Sequence, residues 1–229
     1  AILKQLAMAV APGVATIDLE KAAQDLIVQA GAKPSFLWYQ GYPAVLCTSV
    51  NEVVVHGLPS NRILKEGDII GLDLGIWYES LSVDAALTVG VGKISKEAKK
   101  LIETTKKALE VAIKSVKAGK KTGDIGFEVQ KFIESKGFKT IKELVGHGVG
   151  YEVHEEPQIP NFGTLNSGII LPENLVIALE PMATIGSGQV KLADDGFGYQ
   201  TIDSALSAHF EATVAVTKKG AEILTPINF

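Results

Sequence analysis

Two rhythms of apolar and polar positions run along this chain. Leu101, Ala108, Leu109, Ala112, Ile113 and Val116 recur at helical spacing, the stripe of an amphipathic helix with one buried face. Positions 53–56, 69–78, 85–91, 175–180 and 212–216 have strong β composition instead and predict strands. The opening residues Ala1-Ile2-Leu3-Lys4-Gln5-Leu6-Ala7 read as the middle of a helix. They contain neither an initiator Met nor the basic start of a signal peptide, so further residues are expected upstream.

The pattern also repeats. Gly13, Thr16, Asp18, Gln24, Ile27 and Gly31 return as Gly119, Thr122, Asp124, Gln130, Ile133 and Gly137, an offset of 106. Each copy has a Thr-x-Asp helix start, an apolar face and a glycine stop. Downstream, Glu66-Gly67-Asp68-Ile69-Ile70-Gly71-Leu72-Asp73 matches Glu173-Asn174-Leu175-Val176-Ile177-Ala178-Leu179-Glu180 at 107. Both read as a turn feeding an apolar strand that ends in a carboxylate. So long a period excludes a solenoid. The expectation is an α+β fold of two pseudo-twofold-related halves, about 1–105 and 106–229, with acidic strand ends converging on one cleft.

Composition narrows this. Of 229 residues 46% are hydrophobic, enough for a sizeable core and incompatible with disorder. The length suits one domain, 1–229. The apolar stretch 168–178 is broken by Pro172, Glu173 and Asn174, far short of a membrane span. The lone Cys47 excludes an intrachain disulfide and a cysteine-only zinc site; it fits a cytoplasmic protein. The net charge of −4 argues against nucleic acid as the main partner. Positions 93–121, however, hold ten Lys against Glu97, Glu103 and Glu110. That stretch reads as a solvated helix face or as a docking face for something anionic such as ribosomal RNA. Gly119-Lys120-Lys121-Thr122 lacks the Gly-Lys-Thr core and upstream glycine of a phosphate loop.

The candidate chemistry lies in buried acids. Asp73 and Asp84 are 11 residues apart, the spacing of neighbouring positions across a hairpin turning near 78–80. Glu180 and Glu211 also sit in apolar runs, and Arg62 is the only arginine. Any one of these acids reads equally well as a hydrogen-bonded structural carboxylate. Four together, unpaired, would be very costly to bury, and a metal ion is the cheapest solution. Of the four histidines, His147 sits among glycines in Gly146-His147-Gly148-Val149-Gly150, and His154 opens His154-Glu155-Glu156-Pro157. Position 158 is Gln, which excludes a zincin His-Glu-x-x-His helix. One His with four carboxylates suggests an oxygen-rich site for two ions.

Asn51-Glu52-Val53-Val54-Val55-His56-Gly57, the Asp73/Asp84 pair, the two histidine segments, Leu179-Glu180-Pro181-Met182 and Phe210-Glu211-Ala212-Thr213 together resemble type I methionine aminopeptidase, a pita-bread metallopeptidase. The resemblance runs nearly end to end. It implies that Asp73, Asp84, His147, Glu180 and Glu211 hold two divalent ions (Mn, Fe, Co or Zn), with Asp84 and Glu211 bridging. It makes Glu180 the general base, His154 a stabiliser of the tetrahedral oxyanion and His56 an orienting group for the peptide. Phe36, Tyr39, Tyr42, Cys47, Val153 and Phe197 match the methionine pocket, and aromatic edges suit a thioether. Cys47 reads equally as a small buried hydrophobe. The interval from His147 to Glu180 has no room for the large helical insertion of type II enzymes.

Several positions depart from the family pattern. Gly75 stands for a usual Thr, Ala85-Ala86 for Thr-Ser, Ala212 for His and His209 for Gln. Phe36 replaces a smaller residue, and Val153 and Phe197 replace larger aromatics. His209 can share a face with Glu211; it reads as a hydrogen-bonding neighbour of the site rather than a sixth ligand. The implied activity is removal of N-terminal methionine before a small second residue, on new polypeptides, by a monomer. Two rivals remain: a proline-selective aminopeptidase of the same fold, which usually has Gly in place of Met182, and a non-catalytic pita-bread binding protein, which would have lost ligands.

Overall fold

A computed structural model of the chain describes residues 1–226; the last three positions of the expected domain lie outside the described residues. The helices are α1 (Ile2–Ala9), α2 (Thr16–Gln29), α3 (Lys96–Ser115) and α4 (Thr122–Ser135). The strands of the first half are β1 (Lys33–Pro34), β2 (Cys47–Val50), β3 (Val53–Val55), β4 (Ile69–Tyr78) and β5 (Leu81–Gly90). Those of the second half are β6 (Lys139–Thr140), β7 (Val145–Gly148), β8 (Glu155–Pro160), β9 (Val176–Leu179), β10 (Met182–Thr184), β11 (Val190–Leu192), β12 (Tyr199–Thr201), β13 (Ser207–His209), β14 (Glu211–Thr217) and β15 (Gly220–Ile223).

Nine strands form the main sheet in the order β1-β4-β5-β14-β9-β7-β8, with β2 beside β4 and β15 beside β14. Its centre is the antiparallel pair β5·β14, and β4 and β9 flank that pair on either side. The longest unit is the β4–β5 hairpin, paired from Ile69↔Gly90 to Tyr78↔Leu81. Its two turn residues, Glu79 and Ser80, have φ of +47° and +70°, the left-handed pair whose twist matches the strands.

The halves share local construction. The Gly13 N–H donates to the Leu64 carbonyl at 2.8 Å, and the Gly119 N–H to Leu171 at 2.9 Å. The return bonds, Leu64 N–H to Val14 and Leu171 N–H to Lys120, are both 2.8 Å. Gly13 and Gly119 have φ of +93° and +86°, where a side chain is strained. Each bond pair leads into a 14-residue helix, α2 or α4. In α3 the Ser95 hydroxyl caps the Ala98 N–H at 3.0 Å, and Leu101, Ala108, Leu109 and Ala112 are buried. The lysines at 93, 96, 99, 100, 107, 114, 117 and 120 are exposed. No helix of the described residues is long and apolar enough to cross a membrane.

Strand ends differ from expectation for local reasons. β5 begins at Leu81 rather than at 85, because the hairpin register carries Ser82 and Asp84 into the ladder despite their weak β composition. β3 stops before His56, whose φ is +58°. β9 stops before Glu180-Pro181, where proline has no N–H to donate. β14 starts one residue earlier, at Glu211.

Candidate active site

The site is laid out by sheet register. Cys47 on β2 faces Asp73 on β4, Asp73 faces Ala86 on β5, and Ala86 faces Glu211 on β14. These four side chains form one row on one face, since directly opposed residues point the same way. Asp84 is opposite Gly75, a diagonal step from Asp73. Glu180 lies one residue beyond the Ala212↔Leu179 pair, beside Glu211. His147 enters from β7, opposite Ala178. Thr213 fixes the backbone of Asp84: its hydroxyl accepts from the Asp84 N–H at 2.9 Å and donates to the Asp84 carbonyl at 2.8 Å. Asn161 Nδ2 donates to the Glu180 carbonyl at 2.9 Å.

Oxygen and nitrogen atoms of Asp73, Asp84 and Glu211 lie within 4.8 Å of one another, as do those of His147, Glu180 and Glu211. Glu211 belongs to both groups. Asp84 also comes within that distance of His147 and His154. Asp73 Oδ1, Asp84 Oδ1 and Glu211 Oε1 are buried without a hydrogen-bond partner among the described residues. A divalent cation satisfies such oxygens, and the donor set, mostly carboxylate with one or more imidazoles, fits one.

The electrostatics agree. Burial, reinforced by the Asp84 charge, pushes the carboxyls of Asp73, Glu180 and Glu211 well above the ordinary range. Burial brings Asp84 up to about 6. A bound cation reverses this by stabilising the ionised forms. Burial lowers His147 to about 4, with His154 adding to the effect, so the ring is neutral. Its Nδ1 lies 2.8 Å from the Gly148 carbonyl and donates to it. That bond leaves the Nε2 lone pair facing Glu180 and Glu211, the tautomer a metal ligand needs. Burial also keeps His56 neutral, at about 4, and lowers His154. The His154 ring packs edge-on to Tyr39 at 5.1 Å and to His147 at 4.2 Å.

Against the carboxylates lies an apolar cluster. Phe36, Tyr42, Cys47 and Val153 are buried together, with Tyr39 and Phe197 packed against them. A cavity of about 310 Å³ is lined at one end by Phe36, Tyr39, Tyr42, Cys47 and Phe197 and at the other by Asp73, Asp84, His147, Glu180 and Glu211, with His56 and His154 beside them. Val153 supports the cluster without lining that cavity. A second space, about 710 Å³, opens past His56, His147, His154 and Glu180 toward Tyr151 and Gln158. The Tyr42 hydroxyl is shared between the carbonyls of Leu46 and Gly57, at 3.2 and 3.1 Å. Burial pushes that phenol and the Cys47 thiol upward, so both remain neutral walls.

The sequence reading missed Ala44, Leu58 and Trp77, which join the apolar cluster. Trp77 was within reach of period-two reasoning, since Asp73, Gly75 and Trp77 alternate onto one face of β4. Asn161 and Thr213 carried no local signal.

Four of the departures from the family pattern meet in two pairs. A Cβ on Gly75 would stand on Ser35 Oγ and only 2.5 Å from Phe36 Cε1. The larger Phe36 therefore occupies space that a threonine at 75 would fill. Ala85 and Ala212 face each other across β5 and β14.

Comparison with known proteins gives one family. The model of metallopeptidase family M24 matches residues 1–218. A methionine aminopeptidase from Clostridium perfringens is 44% identical over 219 residues, covering 96% of this chain and 88% of that one. The crystal structure of methionine aminopeptidase from Thermotoga maritima superposes with a TM-score of 0.96 at 42% identity, over 99% of this chain and 91% of that one. An X-Pro aminopeptidase from Thermotoga maritima shares the fold at TM-score 0.77 and 24% identity, covering 99% of this chain and 57% of its own.

Proposed function

The chain belongs to metallopeptidase family M24, and on that premise we infer that it is a methionine aminopeptidase, a pita-bread metallo-hydrolase that removes N-terminal methionine from peptides. The observation that carries the reading is the continuity of one cavity. An aromatic pocket joins, at the Cys47–Asp73 pair, a cluster of carboxylates that could hold metal. Side chain and scissile bond are thereby presented together. The proline-selective rival rests on fold alone. Against a non-catalytic protein stands the retention of all five implied ligand types.

The family uses divalent metal, and Asp73, Asp84, His147, Glu180 and Glu211 would hold two such ions. When bound, such ions lower the pKa of water and polarise the scissile carbonyl. Glu180 takes the water proton on a carboxylate oxygen and returns it to the leaving amine. His154 donates toward the oxyanion, and His56 orients the peptide. Phe36, Tyr39, Tyr42, Cys47 and Phe197 enclose the methionine side chain, with Val153 packed behind them. The reading extends to a cytoplasmic monomer built as one domain with two related halves, acting on new polypeptides with a small second residue. The exposed lysines of 93–121 then offer a face to the ribosome.

The test loads the protein with Mn, Fe, Co or Zn in turn, measures bound metal by plasma spectrometry and follows release of Met from Met-Ala-Ser. Two equivalents of metal and Met release are expected. Cleavage confined to X-Pro peptides supports the rival enzyme, and binding without cleavage supports the non-catalytic protein.

A further inference from the structure

His209 is the buried group to which the mechanism above gives no task. It ends β13 and is 3% exposed. Thr88 clamps its backbone: the His209 N–H donates to Thr88 Oγ1 at 3.0 Å, and the Thr88 hydroxyl donates to the His209 carbonyl at 2.8 Å. The ring is thereby rooted facing the carboxylates. Among the described residues its Nε2 has no hydrogen-bond partner, and it stands 3.8 Å from Glu180 Oε2 and 3.9 Å from Glu211 Oε2.

His147 faces the other oxygens of the same two residues, Glu180 Oε1 at 3.7 Å and Glu211 Oε1 at 4.0 Å. The two carboxylates are therefore flanked by two imidazoles, one on each side. The rings differ in what fixes their protons. The Gly148 carbonyl holds the His147 proton on Nδ1. Among the described residues no comparable bond holds His209, and two carboxylate oxygens in front of its Nε2 favour a proton there. One ring then offers a lone pair and the other an N–H.

We propose that His209 is a positioning residue of the metal centre: its Nε2–H hydrogen-bonds the outer Oε2 atoms of Glu180 and Glu211 and so turns their Oε1 atoms toward His147. A shift of roughly 1 Å brings either contact into hydrogen-bond range. The proposal rests on the metal-centre reading above. It assigns to His209 the orientation of a general base and of a shared ligand at once.

The test compares wild type with His209→Gln, which keeps a neutral N–H donor, and His209→Leu, which keeps bulk without one. Each is titrated with Mn²⁺ by calorimetry and assayed for kcat and KM on Met-Ala-Ser. Mn-loaded samples are examined by electron–nuclear double resonance, which counts coordinated histidine nitrogens. The Leu variant is expected to lose about 10–100-fold in Mn²⁺ affinity or kcat, with KM little changed. Gln should restore most of the loss, and the nitrogen count should be the same in all three. A histidine nitrogen present in wild type and missing in both variants would show His209 to be a ligand and overturn the proposal. Wild-type behaviour of Leu, or a Gln variant as impaired as Leu, overturns it too. If Leu does not fold, Gln against wild type decides: retained affinity with an unchanged count supports the proposal, and loss of either overturns it. Wild type that binds Mn²⁺ without cleaving Met peptides overturns the aminopeptidase reading alone, since the calorimetric and resonance arms still read His209.

Discussion

The two halves of the chain use the same backbone devices for different chemistry. Gly13 and Gly119 sit in the same left-handed turn, make matching bonds to Leu64 and Leu171, and lead into helices of equal length. Each half then delivers two acids to the cluster, Asp73 and Asp84 from within β4 and β5, Glu180 from just past β9 and Glu211 from the start of β14. What differs is the chain between helix and strand. In the first half, residues 33–58 supply Phe36, Tyr39, Tyr42 and Cys47, most of the apolar wall, and the single histidine His56. In the second half, the corresponding stretch supplies His147 and His154. The shared frame collects negative charge on an axis, and the unshared segments decide what that charge acts on.

The comparison is most exposed at the carboxylates. Asp84→Asn removes charge from a residue that reaches Asp73 and Glu211 on one side and His147 and His154 on the other, and is expected to bring activity close to background with loss of bound metal, read by turnover and plasma spectrometry on one sample. Full activity with two metals retained would mean that the halves do not share a centre through Asp84. Glu180→Gln is expected to keep more metal while lowering kcat by about 10²–10⁴-fold, with a much smaller change in KM because the pocket is untouched. A variant within a few-fold of wild type, with metal bound, would remove Glu180 as the base.

The unshared wall is tested next. Gly75→Thr should overpack Phe36 and cost about 1–3 kcal/mol, seen as a lower melting temperature and a raised KM. Phe36→Ala with Gly75→Thr should recover much of that loss, and additive effects in the double-mutant cycle would show that the two positions do not compensate. The smallest effect concerns the frame itself. A Cβ at Gly13 or at Gly119 meets nothing within 4 Å, so alanine at either costs only left-handed strain, about 1–2 kcal/mol. Denaturant melts should give equal costs, and a clear inequality would limit the equivalence of the halves to geometry.

Much of this frame was legible in the chain. The Thr-x-Asp starts, glycine stops and apolar strands are local signals, set by neighbours a few residues away. So were the identities of the acids and histidines, because a buried carboxylate betrays itself by the apolar run around it. Strand ends were less legible: Ser82 and Asp84 look unlike a strand, yet pairing with β4 makes them one.

The sequence by itself determined which residue types would have to be reconciled, four acids in apolar surroundings and histidines beside glycines; the aromatic side chains suited to a thioether followed from the family resemblance. Only the tertiary structure decided who meets whom. Cys47, Asp73, Ala86 and Glu211 become one row through the register of three strand pairs, and a shift of one residue in any of them would turn a member to the other face. Phe36 fits because Gly75 lacks a side chain, Ala85 meets Ala212, and His209 faces two carboxylates. Each of these contacts depends on long-range pairing, whose cost is paid by the whole core and leaves no trace in the residues immediately alongside.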